Sequence, residues 1–175
     1  MILTTRKARA DELEAIMNFY YDVIRIMADM AYQPGWVKDV YPTRDYILAS
    51  IDAGEFYLGF VGQELACVMM LNNHSSDGYE TVTWPTEAAP EEVFVLHALG
   101  VHPKYQGTGL SHRWVEAAIE HSRSRGGKVI RLDVLGSNLP AQRLYPKLGF
   151  QYVTTLKLYY DNTGLTDFLL YELRL

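Results

Sequence analysis

The sequence predicts an α/β (α+β) fold: a mixed, mostly antiparallel sheet with one parallel central strand pair and helices on both faces. Three observations predict it. VFVLHALGV (93–101) and VIRLDVL (129–135) are apolar runs of strand length separated by a helical stretch, the pattern of parallel strands joined by a crossover helix. EFYLGFV and ELACVMML flank Gly62-Gln63, which predicts an antiparallel hairpin. FQYVTTLKLYY and FLLYELRL flank an Asn-Thr-Gly turn and predict a second one. At 175 residues, residues 1–175 suit a single domain with one core.

In chain order, residues 2–8 are β-compatible. Leu13, Ile16, Met17, Tyr20, Ile24, Met27 and Ala31 then recur at helical spacing, with Asp11 near the start of a long amphipathic helix. YQPGWVKDVYP (32–42) is a loop by its proline and glycine. Thr43 reads as the N-cap of a short second helix carrying Tyr46, Ile47, Ser50 and Ile51 and ending near Gly54. After the first hairpin, NNHSSDG is a polar loop, YETVTW (79–84) reads as a strand, and PTEAAPEE is a connector. The continuous apolar character of 93–101 fits a strand buried on both faces. A third helix covers about 109–125, with Leu110, Trp114, Ala117, Ala118 and His121 on one face. A fourth begins near Pro140, capped by Asn138 or Leu139, with Ala141, Leu144, Tyr145 and Leu148 inward.

Composition narrows the function. Hydrophobic residues are 49% and charged residues 21%, as in ordinary globular chains. A net charge of −5 argues against a nucleic-acid partner. The single cysteine, Cys67, excludes an internal disulfide and any multi-cysteine metal site, and His74 and His121 lack ligand spacing, so no metal is expected. No apolar stretch approaches the roughly 20 residues of a membrane span, and MILTTRKARADELEAI lacks a secretory core. A soluble cytoplasmic protein with no membrane partner is the expectation.

The chemistry begins at VHPKYQGTGLSHRW (101–114). Gly107 and Gly109 lie on the seam between strand and helix, where unpartnered N–H groups and the helix dipole favour an anion. A GxxxxGK[ST] loop is absent, and His112 breaks the GxGxxG pattern of dinucleotide loops. Gln106-Gly107-Thr108-Gly109-Leu110-Ser111 fits a Q/R-x-x-G-x-G/A pyrophosphate loop except at the last place. LGVHPKYQGTGLS and LDVLGSNLPAQRLYPKLGF together resemble the GNAT family of N-acetyltransferases, with the family's Asn, Ala, Tyr and Gly-Phe in order; the element layout matches too. GWVKDVYPT and GYETVTW resemble a small-molecule-type subgroup.

The resemblance implies acetyl-CoA as co-substrate, a small-molecule primary amine (amino acid, polyamine or similar) as acceptor, direct transfer in a ternary complex, and a possible homodimer. It places the pantetheine arm where the central strands splay, on the backbone of Leu99, Gly100 and Val101, and the pyrophosphate on Gln106, Gly107, Thr108, Gly109, Leu110 and Ser111. Lys104 or Arg113 would add phosphate charge, and Asn138, Ala141 and Tyr145 would hold the arm. Tyr145 is the candidate general acid, since a phenol with pKa near 10 can protonate a departing thiolate. His97 is the candidate base; strict strand alternation puts it on one face with Leu99. Trp36, Tyr41, Tyr79 and Trp84 are candidate walls of the acceptor pocket. Asp133 is read as structural, pairing with Arg131, or as orienting a substrate. Ser111 departs from the family's small Gly or Ala, and Pro146, following Tyr145, should distort the last turn of its helix. A non-catalytic acyl-CoA-binding module and a protein N-terminal or lysine acetyltransferase are the alternatives.

Overall fold

The computed structural model describes residues 2–175. The elements are β1 (Leu3–Lys7), α1 (Leu13–Met27), α2 (Arg44–Asp52), β2 (Phe56–Val61), β3 (Glu64–Asn72), β4 (Val93–Val101), α3 (Leu110–Ser124), β5 (Val129–Leu135), α4 (Leu139–Lys147), β6 (Gln151–Tyr160) and β7 (Gly164–Arg174). The seven strands form one sheet in the order β1-β2-β3-β4-β5-β7-β6. Only β4 and β5 pair in parallel; every other neighbouring pair is antiparallel.

The helices cover both faces because each carries an apolar stripe that the sheet buries. Leu13, Ile16, Met17, Tyr20 and Val23 of α1 pack with Ile47 and Ile51 of α2 on Phe56, Leu58, Val68 and Met70. On the opposite face, Leu110, Trp114, Val115 and Ala118 of α3 and Tyr145 of α4 pack on Cys67, Met69, Leu71, Phe94 and Leu132. Thr43 caps α2 as expected, its hydroxyl accepting from the Tyr46 amide at 3.2 Å.

Two features of the sheet shape the site. The β4–β5 ladder spans only Val93–Val95 against Val129–Arg131, after which the strands separate. On the other side of β4 the register with β3 shifts between Val68 and Met70, and Ala98 adopts φ 48°, a β-bulge. The carbonyls disturbed there find side-chain donors: the Tyr20 hydroxyl donates to Ala98 O at 2.7 Å and the Trp114 indole to Val68 O at 3.0 Å. The bulge also corrects the expected alternation. Leu96, Leu99 and Val101 pack with the α3 cluster, whereas Ala98 packs with the α1 cluster and His97 bonds Asn72, so His97 and Leu99 face opposite ways.

YETVTW is not a strand. Tyr79–Thr81 form a turn of 3₁₀ helix after Gly78 (φ 89°), and the Trp84 indole donates to Tyr79 O at 3.1 Å. Burial of Tyr79 under that connector draws the chain out of any ladder.

Candidate active site

A cavity of about 970 Å³ runs from the 106–111 loop through the gap between β4 and β5 to the α1–α2 loop. It brings together Trp36, Tyr41, His97, Leu99, Val101, Gln106, Gly107, Ser111, Asn138, Ala141 and Tyr145 of the sequence candidates. Along β4 beyond Val95 no β5 partner remains, so backbone groups there open onto this space.

At the loop, Pro103–Tyr105 make a 3₁₀ turn, Gly107 and Gly109 take φ 74° and 78°, and α3 starts at Leu110. A side chain at either glycine would meet nothing within 4 Å, so the left-handed backbone, not crowding, demands glycine there. The first turn of α3 has no side-chain cap, which leaves its leading N–H groups for an anion. Four candidates fit less simply. The Thr108 amide and hydroxyl both donate to Tyr105 O, at 3.3 and 2.7 Å. Leu110 is 1% exposed, so only its amide can serve a ligand. Gly100 is buried, and a Cβ on it would meet Phe19 and Trp36 at 3.0 Å; its bareness admits those two rings and not a ligand. Lys104 is ion-paired with Glu64, which also accepts from the Tyr105 hydroxyl at 2.7 Å.

Asn138 is the N-cap of α4; its Oδ1 accepts from the Ala141 amide at 3.3 Å, leaving its side-chain N–H groups for a ligand. The helix ends in a tightened turn, Leu148 N and Gly149 N reaching back to Tyr145 O and Pro146 O at 3.0 and 3.1 Å, as helix C-termini commonly do. Tyr145 nevertheless stays aimed at the cavity, wedged against Phe150 with ring centroids 5.3 Å apart. Its hydroxyl has no hydrogen-bond partner among the described residues, and burial first, then the Asp133 charge, raises its pKa, so the phenol holds its proton.

His97 is held by Nε2, which lies 3.1 Å from His74 O and 3.2 Å from Asn72 Oδ1. A carbonyl only accepts, so Nε2 carries the hydrogen and Nδ1 keeps the lone pair. Burial lowers the His97 pKa to about 4, so the ring is neutral at physiological pH.

Tyr79 and Trp84 do not wall the cavity. Tyr79 is 2% exposed and donates from its hydroxyl to Asp133 Oδ2 at 2.9 Å; Trp84 packs on Tyr79 with the Arg131 guanidinium 4.3 Å from its ring centroid. Tyr79 backs the site by bonding Asp133, and Trp84 does so by packing on Tyr79. Arg131 does not pair with Asp133: its Nε bonds Glu172 at 2.9 Å and its Nη2 reaches Thr86 O at 3.0 Å. Sequence reasoning missed several cavity residues, among them Tyr46, Asn72, Asp77 and Tyr160, and raised Asp133 only as structural or as orienting a substrate. Only Asp133 carried a usable signal, a carboxylate inside an otherwise apolar strand.

The α1–α2 loop roofs the cavity. Gly35 O accepts from Asn162 at 2.8 Å, Tyr32 lies under the Arg143 guanidinium at 5.7 Å, and Trp36 meets Tyr20 edge-on at 4.9 Å.

Comparison with known proteins agrees with this architecture. A sequence model of the acetyltransferase (GNAT) family matches residues 12–150. The chain is 33% identical over 87 residues to N-alpha-acetyltransferase RimI of Mycobacterium tuberculosis, a match covering 50% of this chain and 52% of that protein. It spans about half the length, or less, of curated relatives of this kind. A GNAT acetyltransferase from Streptococcus agalactiae 2603 shares the fold at TM-score 0.82 and 22% identity, covering 99% of this chain and 95% of that one. The yncA acetyltransferase of Salmonella typhimurium, solved with acetyl-CoA, does so at TM-score 0.70 and 19% identity, with 99% and 94% covered. The sheet with its one parallel, early-parting strand pair, the glycine loop at the head of α3 and the family match together establish that this chain belongs to the GNAT acetyltransferase family.

Proposed function

We propose that the protein is an acetyl-CoA-dependent N-acetyltransferase that passes an acetyl group directly to the primary amine of a small molecule in the cytoplasm. One observation carries this reading: Tyr145 and His97, a proton donor and a proton acceptor, line the same cavity that begins at the glycine loop and crosses the gap between β4 and β5. The residues present suit acetyl-CoA. Open N–H groups around Gly107–Ser111, apart from the engaged Thr108 amide, match a pyrophosphate, and unpaired backbone of β4 matches an extended amide-bearing arm.

Bound acetyl-CoA would supply an activated thioester carbonyl. The protein's part is positional and protonic. Backbone N–H groups near Leu99 and Val101 would hydrogen-bond the arm and the carbonyl oxygen as negative charge grows on it. His97 Nδ1 would take the proton from the attacking amine, directly or through water. As the C–N bond forms and the C–S bond breaks, the Tyr145 hydroxyl would pass its proton to the sulfur. No acyl-enzyme is needed: Cys67 is fully buried, and burial raises its thiol pKa to about 12, which removes it as a nucleophile.

The test is amine-stimulated release of the coenzyme A thiol. Release that saturates in both acetyl-CoA and amine supports the reading; tight acetyl-CoA binding with no release would identify a non-catalytic binding module. The similarity to RimI favours a second reading, transfer to the amino group of a protein chain. An alanyl peptide acetylated faster than any small amine would establish it.

A further inference from the structure

The charged lining of the cavity is one-sided. Asp77 and Asp133 face it, and among the described residues no lysine or arginine does. The α-helical end of the cavity belongs to the cofactor residues, but the far end is an acidic, aromatic chamber. Asp133 lines it. Tyr41, Tyr46, Tyr145 and Tyr160 line the cavity with it, and Tyr79 lies behind it, donating to its Oδ2 at 2.9 Å; burial, and to a smaller extent the Asp133 charge, raises the pKa of each of these phenols. The nearest basic candidate along the strand, Arg131, is engaged by Glu172 and Thr86. Asp133 enters no ion pair among the described residues; its carboxylate is met by the hydroxyls of Tyr79 and Ser76. A half-buried carboxylate met only by hydroxyls, whose pKa burial raises, has room electrostatically for a cation that would hold it ionised, and aromatic rings lining the same cavity attract the same kind of group.

We propose that Asp133 determines acceptor specificity: the amine acetylated belongs to a molecule that carries a second positive charge, held by Asp133 within the tyrosine cage, and no carboxylate. The inference rests on the acetyltransferase reading and narrows it. A free amino acid is disfavoured for a stated reason, since its carboxylate would enter a chamber holding two like charges and no counter-ion. A diamine fits, with one nitrogen neutral at the thioester and the other protonated at Asp133.

The experiment compares matched acceptors on the intact enzyme by thiol release: 1,4-diaminobutane, butylamine, 4-aminobutanoate and an alanyl peptide amide. The expected kcat/KM for the diamine exceeds that for butylamine by about tenfold or more, the ratio a charge-assisted hydrogen bond supplies, and 4-aminobutanoate is poorest. In Asp133→Asn the diamine-to-butylamine ratio falls to about one, while 4-aminobutanoate gains relative to butylamine. Equal use of diamine and butylamine by the wild-type enzyme, or ready use of 4-aminobutanoate, overturns the proposal while leaving acetyl transfer standing. Thiol release with none of the acceptors, despite acetyl-CoA binding, overturns the acetyltransferase reading and this proposal with it. The wild-type comparison decides even if Asp133→Asn fails to fold.

Discussion

Tyr145 and His97 show how one cavity sets two protonation states by burial. The phenol is driven toward its neutral, proton-donating form, and the imidazole toward its neutral, proton-accepting form. Tyr145→Phe keeps the ring against Phe150 and removes only the hydroxyl; kcat should fall roughly 100-fold, the lower end for general acid catalysis, with KM for acetyl-CoA little changed. Unchanged kcat across pH would remove the role. For His97 the sign follows from its lowered pKa. The unfolded ring takes up a proton near 6.5 and the folded ring only near 4, so its contribution to stability is intact above about pH 6.5 and is lost as pH falls toward 4. His97→Gln should flatten the stability–pH curve in that window and abolish the acid limb of kcat/KM near pH 4; a limb that persists unaltered assigns the base elsewhere.

The bulge in β4 sets which face each side chain beside the cavity occupies. It turns Leu99 away from His97, so that the two side chains leave the strand on opposite faces, as the proposed transfer requires. Tyr20 is its keystone, since its hydroxyl satisfies Ala98 O. Tyr20→Phe should cost about 1–3 kcal/mol in denaturant unfolding, the price of an unsatisfied buried carbonyl, and lower kcat more than a surface variant of equal stability. Equal activity at matched stability would reduce the bulge to packing. This feature was not legible in the sequence, because a bulge belongs to the register between β3 and β4 and neither strand alone encodes it. The limits of β4 and β5 were legible, since both are apolar runs bounded by polar or turn residues. YETVTW misled for the opposite reason: its β-favouring residues serve a tertiary purpose, placing Tyr79 beneath Asp133 and Trp84 beneath Arg131. The Gln106–Ser111 loop was readable through its glycines, and the structure assigns them positive φ; Gly100 was readable only as a glycine, with no sign of which neighbour needed the space.

As a whole, the molecule is a twisted sheet parted in the middle, with a helix N-terminus at one end of the opening and an acidic, tyrosine-walled chamber at the other. No helix among the described residues is long and apolar enough to cross a membrane. The outer hairpin of β6 and β7 exposes Tyr152, Tyr159 and Leu165, at 55%, 67% and 66%. The homodimer expected from the family resemblance predicts twice the chain mass of 20.0 kDa in light scattering, and a mass of one chain would set it aside. The central claim is that the parted strands and the glycine loop hold one extended thioester cofactor. Its most direct test is a crystal structure with coenzyme A. The diphosphate should lie on the amides around Gly107–Ser111, with the pantetheine arm along Leu99–Val101 and its sulfur beside the Tyr145 hydroxyl. A diphosphate bound elsewhere, or an arm that runs outside the gap between β4 and β5, would contradict the account.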